Sequence, residues 1–292
     1  MTNPLQQKAV LSNVTIRHWT GRKLDKKITD EVNQQHNAEA DAGRYNKLLI
    51  SREAFAEVFS INNAARAAHH VMTLPWFDEG SRILPTSMYD DFAKRFREFR
   101  SDFDAAADRF DTNYPNYVNA ARKRLNSMFR AEDYPSPSRV RSMFSFDVSI
   151  LPCPDGNDFR VSLAKEHLDD LRTDVEKRMQ ATLEDAMKEP VRRIIGVVDR
   201  MVIRLKGYKP ATDKKRAEGT FRDSLVENIR ELVPLLESFN LTDDKALAAL
   251  TKRIAKELCE SDADVLREDE KTRKAVAKAA EEILKQANAL MG

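Results

Sequence analysis

Two apolar stripes set the main constraint on this chain. Between Ser87 and Phe129 the apolar positions include Met88, Phe92, Phe96, Phe99, Phe103, Ala106, Phe110, Tyr114, Tyr117, Ala121, Leu125 and Met128, and every step is three or four residues. That spacing keeps side chains on one side of an α-helix, whose period is 3.6 residues. At 1.5 Å per residue such a helix is roughly 65 Å long. A second stripe runs from Ala164 to Leu205 through Leu168, Leu171, Val175, Met179, Leu183, Ala186, Val191, Ile194, Val198 and Met201. Each stripe carries one interior proline, Pro115 or Pro190. A proline inside a helix removes a hydrogen bond and costs about 3 kcal/mol unless the helix bends. The first stripe stays in phase across Pro115, so a kink is expected there, with a break as the alternative. Two stripes of equal length joined by a short segment predict a long antiparallel helical pair, a stalk.

The joining segment, "SFDVSILPCPDGNDFRVSL", has a different period. Phe144, Phe146, Val148 and Ile150 alternate with polar residues, and Phe159, Val161 and Leu163 do so on the return. Asp-Gly in "PDGN" supplies the positive φ that a tight turn needs. A β-hairpin over 142–163 follows, at the tip of the stalk. An isolated two-stranded hairpin is marginal in water, so its apolar face must pack on the helices beneath, on the N-terminal strands, or on a partner. Phe144, Phe146, Val148, Phe159 and Val161 are therefore candidate protein-contact residues. Trp76 and Phe77 in "TLPWFDEGSRILP" join them. They either staple the base of the stalk or anchor a partner, since Trp is enriched among binding hot spots.

Around the stalk the pattern is simpler. Residues 9–19 alternate as a strand, "RYNKLLI" suits a second one, and a polar helix after Gly21 carries Leu24, Ile28 and Val32. A helix opens near Ser51 and ends at Pro75, and "PWFDEGSRILP" reads as a loop. Residues 207–219 form a linker of Gly, Pro and basic residues. Amphipathic helices over 218–236 and 243–259, the latter with Thr242 as candidate N-cap, precede an Ala/Glu/Lys-rich helical tail from Asp262 to Met291. The expected fold is mostly α, with a long antiparallel helical stalk, a β-hairpin at its tip, a small α/β base and a C-terminal helical region. The expected domains are 1–86, 87–206, the linker 207–219 and 220–292.

Composition narrows the function classes. The 49 basic and 47 acidic residues leave a net charge of +2, so no global field draws the chain to nucleic acid or anionic lipid and any such binding needs a local patch. Cys153 and Cys259 form no CxxC, which suits a reducing compartment. The N-terminus lacks the basic and apolar regions of a signal peptide, and no apolar run reaches about 20 residues. A cytoplasmic protein of a bacterial host cell, away from membranes, is expected. No GxxxxGK[ST], GxGxxG or GxSxG motif is present. His69 and His70 are adjacent, so on a helix they point about 100° apart and do not readily share a metal. His36 and Glu39 share a helix face, but the repeated Glu-x-x-His of a di-iron bundle is missing. Cys153 lies between two prolines with no base placed beside it. No cofactor, metal or catalytic residue is expected, and the chain reads as a non-enzymatic protein.

Basic clusters are the stronger signal. "RHWTGRKLDKK" gathers Arg17, Arg22, Lys23, Lys26 and Lys27 around Trp19, and Lys214, Lys215 and Arg216 form a second group in the linker. Cations beside an aromatic hold phosphates and stack a base. The plainer reading is a solvated turn with Trp19 plugging the core.

The order "W-x-G-R-K", "RYNKLLI", "TLPWFDEGSRILP", then "YP" and "FRV" after a long helix, resembles a family of proteins from bacteriophages and integrative mobile elements over residues 10 to about 205. Its members often sit near a MoxR-type AAA+ ATPase and recombination genes. The resemblance implies mobile-element biology and assigns no activity and no functional residue. The expected function is a phage or mobile-element assembly or adaptor protein that acts on copies of itself, so a homo-oligomer, or on another such protein, an AAA+ ATPase among them. The alternative is a DNA-associated accessory factor for replication or recombination that uses the basic patch.

Overall fold

A computed structural model describes residues 4–76, 80–154, 165–211 and 216–291. The described residues are mostly helical, 68% helix against 12% strand. In order the elements are α1 (Pro4–Lys8), β1 (Ala9–Arg17), β2 (Arg22–Leu24), α2 (Lys26–Gln35), β3 (Asn46–Leu48), α3 (Ala56–Met72), β4 (Leu74–Pro75), β5 (Ser81–Pro85), α4 (Tyr89–Leu125), α5 (Pro137–Arg141), β6 (Ser145–Pro152), α6 (Lys165–Gly207), α7 (Ser224–Phe239), α8 (Lys245–Leu258), α9 (Ala263–Glu268) and α10 (Glu270–Ala289). One sheet has the order β4-β5-β1-β6, and β2 pairs with β3 in a separate two-stranded ribbon. Among the described residues no helix is long and apolar enough to cross a membrane.

The chain falls into two compact units, each built from separated segments. One comprises 1–12, 72–90 and 150–292; the other comprises 13–71 and 91–149. The boundary runs through β1 and through β6, so the division does not follow contiguous stretches of sequence.

Both stripes are long helices that run unbroken through Pro115 and Pro190, but their apolar faces are covered differently from the expected stalk. In the unit formed by 13–71 and 91–149, α4 lays its stripe into an aromatic core. Phe110 stacks on Phe55 at 4.7 Å and meets Phe144 at 5.2 Å, while Phe103 meets Phe146 at 5.7 Å. In the other unit, Val191, Ile194, Val198, Met201 and Leu205 of α6 join Ile229 and Leu236 of α7, Leu250 and Ile254 of α8, and Ala280 and Ile283 of α10 in one buried cluster. A 3.6-period stripe states that a helix has an apolar side; it does not name what covers it. The C-terminal helices, also amphipathic, take that place on α6.

At the expected tip, β6 is the expected first strand, and it lies beside β1, one of the N-terminal strands on which the hairpin was expected to pack. The expected return strand, with Phe159, Val161 and Leu163, lies outside the described residues. Several smaller expectations change with a local reason. Leu24 belongs to β2, because Asp25 caps α2 and the helix starts only at Lys26. Leu74–Pro75 and Ser81–Pro85 are short antiparallel strands, with Leu74 opposite Ile83, where the end of a helix and a loop from Pro75 were expected. The cap of α8 is Asp244, whose carboxylate accepts from the Ala246 and Leu247 amides at 2.7 and 3.0 Å, and not Thr242. The tail is two helices, because Asp269 caps a new one by accepting from Lys271 N at 2.8 Å.

Candidate nucleic-acid interface

The β2–β3 ribbon is three residues long on each side, with Arg22 opposite Leu48, Lys23 opposite Lys47 and Leu24 opposite Asn46. The turn into it needs Gly21, which sits at φ +60 and whose missing side chain leaves room for Phe55; a Cβ there would lie 2.9 Å from that ring. Gly21 O accepts from Leu49 N at 2.7 Å, and Tyr45 O accepts from Asp25 N at 2.9 Å, which closes both ends.

A ribbon this short has little stability of its own. It is held by a buried ion cluster. Lys47 has a side chain only 2% exposed, and its ammonium lies 3.0 Å from Asp25 Oδ2 and 2.6 Å from Asp133 Oδ2. The third donor position reaches Met128 O at 3.0 Å. Lys23, half exposed, completes the set by donating to Asp133 Oδ1 at 2.7 Å. Two cations and two carboxylates therefore cancel. The Lys47 hydrogen bond is the main reason that the Asp25 carboxyl is held below its usual range. Burial alone would raise Asp133, but its bonds to Lys23 and Lys47 overcome that and hold it low. Burial would likewise lower Lys47, and the two carboxylates more than offset it. At the far edge Arg124 Nη2 donates to Leu48 O at 2.7 Å, and Tyr134 Oη donates to Leu49 O at 3.0 Å. Burial raises the pKa of the Tyr134 phenol, which stays a donor.

Around this anchored ribbon Arg17, Arg22, Lys26, Lys27, Arg124 and Arg130 are exposed. Lys27 lies 3.7 Å from Glu31 of its own helix. Trp19 is not part of the exposed set: it packs edge-on against Phe55, Phe110 and Tyr114 at 5.8–6.5 Å, so it plugs the core. Arg216 is exposed but belongs to the other unit, and Lys214 and Lys215 lie outside the described residues.

Three of the expected protein-contact side chains are buried inside the chain, the alternative to a partner that the sequence also allowed. Phe144 and Phe146 are 4% and 3% exposed in the aromatic core, and Trp76 is 7% exposed. Their size and apolarity, which suggested a partner, serve burial instead. Val148 is half buried, while Phe77, Phe159 and Val161 lie outside the described residues. His36 stands at the C-terminal cap of α2, and Glu39 follows beyond the helix, so they share no helix face. Among the described residues no group of His, Cys, Asp and Glu is placed to hold a metal ion. The Cys153 thiol is buried, donates to Ala9 O at 3.6 Å and is pushed up to about 11 by burial, which disarms it as a nucleophile.

Sequence reading missed Lys47, Asp133, Arg124 and Arg130. A lysine at the centre of "RYNKLLI" was the one available sign, since a charge flanked by strand-forming residues needs a partner. Asp133 is 86 positions away, and nothing local points to it. Comparison with protein-family models, curated proteins and solved structures finds no match.

Proposed function

We propose that the protein is a nucleic-acid-associated accessory factor that binds the phosphate backbone with the basic rim of the β2–β3 ribbon. The observation that carries this reading is the contrast in exposure. Arg17, Arg22, Lys26, Lys27, Arg124 and Arg130 stand in solvent around an electrically balanced, buried anchor, whereas Phe144, Phe146 and Trp76 are consumed in packing. The resemblance to phage and integrative-element proteins is consistent with a role in replication or recombination of a mobile element.

The test is binding of labelled single- and double-stranded oligonucleotides by fluorescence anisotropy at 50 and 200 mM salt. If Lys26, Lys27, Arg124 and Arg130 each meet a phosphate, affinity should fall about 150-fold over that range. Replacing Lys26 and Lys27 by Gln should reduce the fall to about 12-fold. No binding to either oligonucleotide at 50 mM would end this reading.

One observation favours a second reading, assembly or adaptor work through helix contacts. In α6 Met179 and Leu183 are each 4% exposed, but Leu171, in step with them, is 38% exposed and Val175 is half buried. A stripe covered at one end and open at the other suits a second copy of the chain. Under this reading the wild type scatters light as an oligomer and Leu171→Asp as a monomer; a wild type that is monomeric at every concentration would remove it.

A further inference from the structure

The ribbon has two faces, and only one is used by the ion cluster. Partners across an antiparallel ladder share a face, and residues i and i+2 do too. Lys23 and Lys47 therefore occupy the inner face, where Lys47 is buried. Arg22, Leu24, Asn46 and Leu48 occupy the other. On it Arg22 and Asn46 are exposed and Leu24 is 38% exposed. Among the described residues neither the Arg22 guanidinium nor the Asn46 amide has a hydrogen-bond or ion-pair partner. The backbone that carries them is, by contrast, tied down by Lys47, Arg124 and Tyr134. Free polar ends on a fixed frame are the arrangement that recognition requires, because the ordering cost is met before binding.

We infer that the β2–β3 ribbon reads base edges in the major groove of duplex DNA, with Arg22 addressing a guanine, Asn46 an adenine and Leu24 a thymine methyl group. The inference rests on the nucleic-acid reading above and names its ligand. The major groove, about 12 Å wide, admits a two-stranded ribbon. Arginine pairs in bidentate fashion with guanine O6 and N7, asparagine with adenine N6 and N7, and apolar groups contact the thymine methyl. Arg22 and Leu24 are two residues apart on one strand, about 6.8 Å. Base pairs rise about 3.4 Å along each strand, so the two side chains address positions two steps apart. Asn46 stands directly across from Leu24, about 5 Å away, within reach of the neighbouring pair. Lys26, at the first position of α2, and Arg124 and Arg130 flank the ribbon for the phosphates. Duplex RNA is a built-in contrast, since its deep, narrow major groove does not admit side chains.

The experiment is selection of a randomised 20-base-pair DNA duplex by the full-length protein, followed by affinity measurements on the enriched site. The wild type should enrich a short site, and it should bind that site roughly 5- to 150-fold less tightly when the guanine assigned to Arg22 is replaced. Arg22→Gln and Asn46→Ala, each changing an exposed, unpartnered side chain, should melt as the wild type does and lose discrimination at one position each. Lys26→Gln should weaken all duplexes alike and flatten the salt dependence. Duplex RNA of the same sequence should show no dependence on Asn46. Salt-dependent DNA binding with no enriched site, or discrimination untouched by both ribbon variants, would overturn the ribbon assignment and leave the backbone-binding reading standing. Absence of binding to any nucleic acid would overturn both.

Discussion

Replacing Lys47 by Met tests the central structural claim, that the ribbon is anchored by buried charge. The substitution keeps the length of the side chain and removes the ammonium. It deletes contacts of 3.0 Å to Asp25, 2.6 Å to Asp133 and 3.0 Å to Met128 O, and it leaves two carboxylates whose side chains are 7% and 5% exposed. Asp133 keeps Lys23; Asp25 keeps only its cap bond from Ile28 N at 3.3 Å. Breaking a buried pair from one side costs about 3–5 kcal/mol, because the remaining charge is uncompensated. Urea unfolding measures it, followed by Trp19 fluorescence in a Trp76→Phe background that leaves one of the chain's two tryptophans. The pH dependence gives a second reading of the same physics. In the wild type, Asp25 and Asp133 have pKa values depressed by folding. Their contribution is fully present above the unfolded value of about 3.9 and is lost as pH falls through the folded values. In Lys47→Met, Asp25 loses the bond that depresses it most, and burial then favours its protonated form. Acidification from pH 7 toward pH 5 should therefore narrow the gap between variant and wild type. Adding Asp25→Asn and Asp133→Asn to Lys47→Met should recover much of the loss. A Lys47→Met protein within 0.5 kcal/mol of wild type at pH 7, with an unchanged m-value, would refute the anchoring argument.

Other consequences are direct. Phe146→Ala should cost about 3–5 kcal/mol, and its melting should be displaced equally at low and high protein concentration, because Phe146 packs on Phe103 and Phe96 of its own chain; a concentration-dependent displacement would contradict this. In a Cys259→Ser background, Cys153 should resist a thiol reagent at pH 8 and react fully in 8 M urea, since its pKa of about 11 and its burial both suppress the thiolate; prompt labelling of the native chain would show the thiol to be open. Asp244→Ala removes both cap bonds of α8 and should lower stability by about 1 kcal/mol in chemical denaturation, whereas Thr242→Ala should change it little.

The local pattern was sufficient for much of the secondary structure. The stripes became α4 and α6, the three central residues of "RYNKLLI" became β3, and "SFDVSILP" became β6, because the periods 3.6 and 2 are properties of the backbone itself. Where a boundary depended on which side chain captured a free amide, the sequence reading went astray: Thr242 was expected to cap α8 and one helix was expected in the tail, whereas the hydrogen bonds of Asp244 and Asp269 set both starts. What the stripes cover was not legible at all. A long apolar face is satisfied equally by another long helix or by several short ones, and the tertiary structure selects α7, α8 and α10 for α6 and an aromatic core for α4. The same limit applies to the ribbon. The basic residues from Arg17 to Lys27 were visible in the sequence, but their use was not, since Lys23 is tied to Asp133 and Trp19 to the core while Arg22 is left free. Buried ion pairs join residues far apart in the chain, and only the folded backbone brings Asp25, Lys47 and Asp133 within hydrogen-bond reach.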